Sequence, residues 1–152
     1  MELIIFIGLQ GAGKSTFYRT RFAETHVHIS KDNFRNNRRP ERRQQQLVHE
    51  ALSQGHSIVV DNTNVTITDR TSLIAQAQAI GATIIGYYFA SSVQECLDRN
   101  SHREGKARVP DVALYVTVSR LQTPSYAEGF DQLFYVRVGK NGEFELEDWQ
   151  DI

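Results

Sequence analysis

Cysteine is almost absent from this chain: its 152 residues include one, Cys96. No internal disulfide can form, which suits a reducing compartment, and a cytoplasmic location is expected. An excess of either charge is missing too. Seventeen Lys and Arg stand against 18 Asp and Glu, for a formal net charge of -1. That balance excludes a global basic field, so any site for a polyanion has to be local. No apolar run is long enough to cross a bilayer, and no membrane partner is expected. The chain opens directly on a strand pattern, so no signal peptide is expected. Repeats and low-complexity segments are lacking. The 5 histidines have no cysteine or carboxylate array at ligand spacing beside them, so no zinc site is expected. A length of 152 residues predicts a single domain, 1–152, with a substantial core.

What is present is an alternation of apolar runs and helical stretches. Strands are predicted over 3–7, 27–29, 57–60, 83–89 and 133–138, and helices over 14–23, 41–54, 68–80, 93–103 and 111–121. Gly55 and Gly81 read as helix stops, Ser92 with Glu95 as a capping box, and Pro110 as a first-turn residue. Asn141 followed by Gly142 signals a hairpin. The implied class is α/β: a mostly parallel central sheet of about five strands, helices on both faces and a small C-terminal hairpin. The acidic stretch 143–152, which contains Trp149, reads as an edge strand and solvated tail. Cys96 shares an apolar helix face with Val93 and Leu97, so it reads as core.

The most specific segment is Gly8-Leu9-Gln10-Gly11-Ala12-Gly13-Lys14-Ser15, which has the form G-x-x-x-x-G-K-[ST] between a strand and a helix. A triphosphate is a dense anion, and a loop that wraps it must bring backbone N–H groups close. Gly8, Gly11 and Gly13 remove the side chains that would interfere, with Ala12 the smallest alternative. The helix that starts at Lys14 aims its N-terminal dipole and free N–H groups at the phosphates. Lys14 adds a full charge, the Ser15 hydroxyl is a hard ligand for Mg²⁺, and Thr16 completes the cradle. ATP and Mg²⁺ are therefore the expected ligands, and Lys14 is a candidate catalytic residue as well as a binding one. This pattern and its flanks imply the P-loop kinase fold.

Three further segments bear on the chemistry. Asp61 ends an apolar strand run, where a carboxylate can hold Mg²⁺ or can cap the next turn. Asp32 follows the short strand 27–29. It is placed either to take a proton from an attacking hydroxyl or to cap a helix. Arg99 and Arg103 stand at i and i+4 ahead of the cation-rich stretch 104–110. They read as a lid over the donor phosphates or as a solvated helix end. Arg38, Arg39, Arg42 and Arg43 form a local basic cluster in an otherwise neutral chain, either a clamp for a strand backbone or a charged helix start.

Together these segments resemble the kinase domain of 5′-hydroxyl polynucleotide kinases of the phage and animal DNA-repair types, over roughly residues 4–138. The residues that carry the likeness are Gly-Ala-Gly-Lys-Ser-Thr-Phe at 11–17, Val-His-Ile-Ser-Lys-Asp at 27–32 and Asp-Asn-Thr-Asn at 61–64. Arg-Asn-Ser-His-Arg at 99–103 and Pro-Ser-Tyr-Ala-Glu-Gly-Phe at 124–130 extend it. The resemblance implies Asp32 as general base, Arg35 as a contact to the acceptor's first phosphate, and Arg99 and Arg103 as lid arginines. It implies a nucleic-acid 5′ end as the acceptor. The chain departs from the phage type in lacking the longer insertion after the base. It also lacks the Asp-x-Asp motif of the bifunctional members, so no phosphatase activity is expected. Two other functions fit less of the pattern: a P-loop kinase of a small hydroxylated metabolite or antibiotic, and a non-catalytic ATP-binding module.

Overall fold

Residues 3–7 are apolar without polar alternation, because the strand they form is buried on both faces (β1, Glu2–Ile7). This is a computed structural model, and it describes residues 1–139 and 141–150. The strands that follow are β2 (Val27–Ile29), β3 (Ile58–Asp61), β4 (Thr83–Phe89), β5 (Gln132–Val138) and β6 (Phe144–Asp148). The helices are α1 (Lys14–Arg21), α2 (Pro40–Ser53), α3 (Ile67–Ile80), α4 (Val93–Ser101) and α5 (Asp111–Arg120). The six strands lie in the order β2-β3-β1-β4-β5-β6. The first five are parallel, and β6 closes the edge antiparallel to β5. This is the expected α/β class, with the hairpin strand added to a five-stranded parallel sheet.

Successive side chains of β1 point to opposite faces and seed two cores. Leu3, Ile5 and Ile7 meet Val48 and Leu52 of α2 and Leu73 and Ile74 of α3. Ile4 and Phe6 meet Phe17 of α1, Cys96 of α4 and Leu114 of α5. The second core is rich in rings: Phe6 packs on Phe17 at 5.6 Å and on Phe89 at 5.2 Å between centroids. Each side chain fully buried in these layers contributes about 1.5–3 kcal/mol.

The structure alters several local expectations. The helix predicted to reach residue 103 stops at Ser101. The cause is Asn100, whose fully buried amide donates to the Val109 carbonyl at 2.6 Å and accepts from the Val109 N–H at 3.0 Å. This staple folds the following residues back and takes Arg103 off the helix face that carries Arg99. Pro110 lies one position ahead of α5, at its N-cap. Ser92 caps α4 by accepting the Glu95 N–H at 3.1 Å, but the Glu95 carboxylate takes the Ser92 hydroxyl rather than completing the box. A full capping box forms instead between Thr66 and Asp69 at the start of α3. The predicted solvated tail is corrected as well. Trp149 is buried, stacked on Tyr135 at 4.3 Å, because β6 delivers it to the sheet face. The last two residues of that predicted tail, 151–152, lie outside the described residues.

Candidate active site

The segment between β1 and α1 turns through left-handed backbone at Gly11 (φ 79°) and Gly13 (φ 96°). A Cβ on Gly11 would sit 3.0 Å from the Cys96 carbonyl oxygen, so both space and backbone demand glycine there. Gly8 anchors the loop through its N–H, which donates to the Thr63 carbonyl at 3.1 Å, and Ala12 is buried beneath it. Lys14, itself buried, donates to the carbonyls of Gly8 at 2.9 Å and Leu9 at 2.7 Å. Burial pulls its ammonium down from 10.5 to about 8, partly offset by the Asp61 charge. Ser15 and Thr16 are exposed at the first turn of α1.

The parallel register carries β3 up beside β1, so that Asp61 pairs with Phe6 at the strand ends. Its Oδ2 accepts the Ser15 hydroxyl at 2.8 Å and meets His28 Nε2 at 2.8 Å. The carboxylate is thus committed to the P-loop and to β2, not to capping a turn. Ser15 and Asp61 offer hard oxygens of the kind Mg²⁺ takes together with phosphate oxygens. Among the described residues no group of three or more His, Cys, Asp or Glu is placed to hold a metal ion.

A single 3-10 turn, Lys31–Phe34, follows β2. Ser30 caps it by accepting the Asp32 N–H at 3.3 Å, which leaves the Asp32 side chain free of the capping role. That exposed carboxylate faces Arg35 at 3.1 Å instead. The turn is fixed from below: Lys31 N–H donates to Asn62 Oδ1 at 2.9 Å, and Asn62 donates to buried Gln44 at 2.6 Å. A cleft of about 600 Å³ joins the pieces, with Gly11, Gly13, Lys14, Ser15 and Thr16 on its floor and Asp32, Arg35, Asp61 and Arg103 on its walls.

Arg99 is not on that wall. Its Nη1 donates to the Gly11 carbonyl at 2.9 Å, and Nη2 lies 3.6 Å from Glu95. The lid arginines predicted on one helix face are therefore divided, one under the P-loop and one in the cleft. Sequence reading gave no role to His28, Asn62 or Gln44. His28 and Asn62 lie in stretches that carry the resemblance, but the partners of all three are remote in sequence.

This sheet order, with its strand–loop–helix unit, is the P-loop kinase fold. The chain belongs to the AAA domain family, whose model matches residues 3–124. It is 27% identical over 133 residues to the bifunctional polynucleotide phosphatase/kinase of Schizosaccharomyces pombe, covering 85% of this chain and 32% of that protein. It is 27% identical over 139 residues to the putative bifunctional polynucleotide phosphatase/kinase of Acanthamoeba polyphaga mimivirus, covering 87% of this chain and 32% of that protein. The chain thus spans about a third of the length of the curated relatives it matches. Among solved structures, a fungal RNA kinase superposes with a TM-score of 0.68 at 17% identity, covering 99% of this chain and 78% of that one. A gluconokinase from Sinorhizobium meliloti superposes with a TM-score of 0.64 at 20% identity, covering 91% and 83%. No described helix is long and apolar enough to cross a membrane.

Proposed function

We propose that residues 1–152 act as one catalytic unit that transfers the γ-phosphoryl group of ATP to the 5′-hydroxyl of a polynucleotide. The observation that carries this reading is the pair Asp32 and Arg35, 3.1 Å apart on the wall of the P-loop cleft. A base beside a phosphate-binding cation suits an acceptor whose hydroxyl neighbours a phosphodiester. The names of the curated relatives support the same acceptor.

In this reading the P-loop amides and Lys14 hold the β- and γ-phosphates, with Ser15 and Asp61 as the protein's ligands to magnesium. When bound, that ion neutralises charge on the phosphates. Asp32 takes the proton of the 5′-hydroxyl as its oxygen bonds to the γ-phosphorus. The bond from that phosphorus to the bridging oxygen breaks, and ADP leaves with the electron pair. Arg103 and Lys14 stabilise charge on the transferring group, and Arg35 holds the acceptor's first phosphate. Arg99 supports the loop through Gly11.

A small hydroxylated acceptor is the second reading, favoured by the fold shared with a gluconokinase. Incubation with Mg²⁺, γ-labelled ATP and a 5′-hydroxyl oligonucleotide, DNA and RNA separately, distinguishes the two. Label on the 5′ end, lost in Asp32→Ala while ATP still binds, supports the polynucleotide reading. ATP binding without label on either oligonucleotide defeats it. Transfer in Asp32→Ala within about tenfold of the unaltered protein, about 1.4 kcal/mol of barrier, removes Asp32 as the base.

A further inference from the structure

Beyond the reaction cleft, a second concavity of about 220 Å³ is lined by Asn37, Arg38, Arg39, Arg42, Arg43 and Gln46. Arg38, Arg39 and Arg42 are exposed and Arg43 is half-buried. None of the four arginines makes an ion pair with a described residue. Glu41, the acidic residue in the first turn of α2, is paired with Lys31 and so is not available to them.

A purely structural role does not explain this arrangement. Arg42 and Arg43 occupy the opening turn of α2, where the helix dipole is positive and cations are disfavoured. Like charges gathered at one helix start repel one another, and an anion lying among them relieves that repulsion. Of the 17 Lys and Arg, these four fall within six residues, against 18 Asp and Glu in the whole chain. Arg35, just ahead of the cluster, and Glu41, within it, both line the reaction cleft. Three residues of extended chain reach at most about 11 Å, so Arg38 lies within roughly three stacked-nucleotide steps of Arg35.

We propose that Arg38, Arg39, Arg42 and Arg43 form a subsite for the phosphodiester backbone of the acceptor, 3′ of the nucleotide that is phosphorylated. This rests on the polynucleotide reading and deepens it: the preferred acceptor is a strand several nucleotides long, not a mononucleotide or a metabolite. Guanidinium groups hold phosphates in forked pairs without reading bases, so the subsite is indifferent to sequence.

The test uses the full chain with all four arginines changed to Gln and, separately, to Lys. Apparent KM is measured for 5′-hydroxyl acceptors from a dinucleotide to a dodecanucleotide, in DNA and RNA series, at several salt concentrations. In the unaltered protein KM falls with acceptor length. In the Gln variant that gain is lost: KM for the dodecanucleotide rises about tenfold or more, and its salt slope shrinks by about 0.7 for each phosphate contact removed. The rate on saturating dinucleotide stays unchanged, and the Lys variant recovers most of the gain. A Gln variant with the unaltered protein's length dependence and salt slope overturns the subsite and leaves the polynucleotide reading standing. An unaltered protein that phosphorylates no oligonucleotide of any length overturns both. Whichever of the DNA and RNA series shows the arginine-dependent gain identifies the strand bound.

Discussion

The fully buried guanidinium of Arg70 forms a forked ion pair with Glu128, Nε to Oε1 at 2.8 Å and Nη2 to Oε2 at 3.2 Å, across 58 residues of sequence. The same group donates to the carbonyls of Asn64 at 2.7 Å and Gln122 at 3.0 Å. Asn64 has left-handed backbone (φ 46°) and donates its amide to the Phe6 carbonyl at 2.7 Å. Arg70, on α3, therefore ties the turn that follows Asp61 to the loop after α5 and to the 3-10 turn Tyr126–Glu128 ahead of β5.

Because every donor named here is buried and paired, loss of either charge leaves its partner uncompensated. Arg70→Ala is expected to cost about 3–5 kcal/mol in urea unfolding. Glu128→Ala should cost a similar amount, and the double variant less than the sum, since the orphaned charge is then gone. Strict additivity would show that the pair is not coupled.

Much of the site is local in sequence and legible there. The P-loop lies within one strand–turn–helix unit, and Asp61 ends an apolar run, so type and spacing suffice to find them. The supporting residues are another matter. His28 reaches Asp61 across 33 residues and Arg70 reaches Glu128 across 58, so their roles exist only once the sheet order brings the strands together. Asn100 is a different failure: a helix period runs through it to Arg103, and only the buried contact to Val109 breaks the helix. Trp149 was hidden by its acidic neighbours, because charge content does not reveal which face of an edge strand is covered.

His28 takes its role only from the structure, and its ring is held in place. It stacks on Tyr18 at 4.3 Å, and Tyr18 in turn donates its hydroxyl to the His26 carbonyl at 2.6 Å. With its orientation set, it fixes the Asp61 carboxylate that also takes the Ser15 hydroxyl. His28→Ala is expected to raise the Mg²⁺ concentration needed for half-maximal activity by about tenfold or more, as loss of such supporting contacts does elsewhere. Magnesium-dependent protection of the loop from proteolysis should shift in parallel, and His28→Asn should restore part of both. An unchanged Mg²⁺ requirement would remove the positioning role.

The division of Arg99 from Arg103 gives a kinetic contrast. Arg99 holds the Gly11 carbonyl, so Arg99→Ala should loosen the P-loop and raise KM for ATP, by about tenfold, with a smaller effect on the rate at saturation. Arg103 lines the cleft, so Arg103→Ala should lower kcat by about a hundredfold with ATP binding nearly intact. Measuring both variants with the same acceptor decides it: matched losses in KM and kcat would mean that the two arginines act as one lid.

Lys14 carries a cost in the folded protein that pH should expose. Burial lowers its pKa from 10.5 to about 8, against the pull of Asp61. Below about 8 both folded and unfolded chains hold the proton, and the folded state bears the full desolvation penalty. Between about 8 and 10.5 the folded chain has lost that proton while the unfolded chain keeps it. The unfolded state then binds more protons, so this residue's contribution to stability rises with pH and levels off above 10.5. Lys14→Met should therefore unfold at higher urea than the unaltered protein near neutral pH, with the gap closing across that window. Nucleotide binding runs the other way, since the phosphates need the ammonium. Above about pH 7, where the phosphates of ADP are fully ionised, affinity for ADP in the presence of EDTA should be level up to about 8 and then fall, by up to tenfold per pH unit, and should be weak and level over that range in Lys14→Met. If the variant's affinity declines over the same range, a group other than Lys14 is titrating.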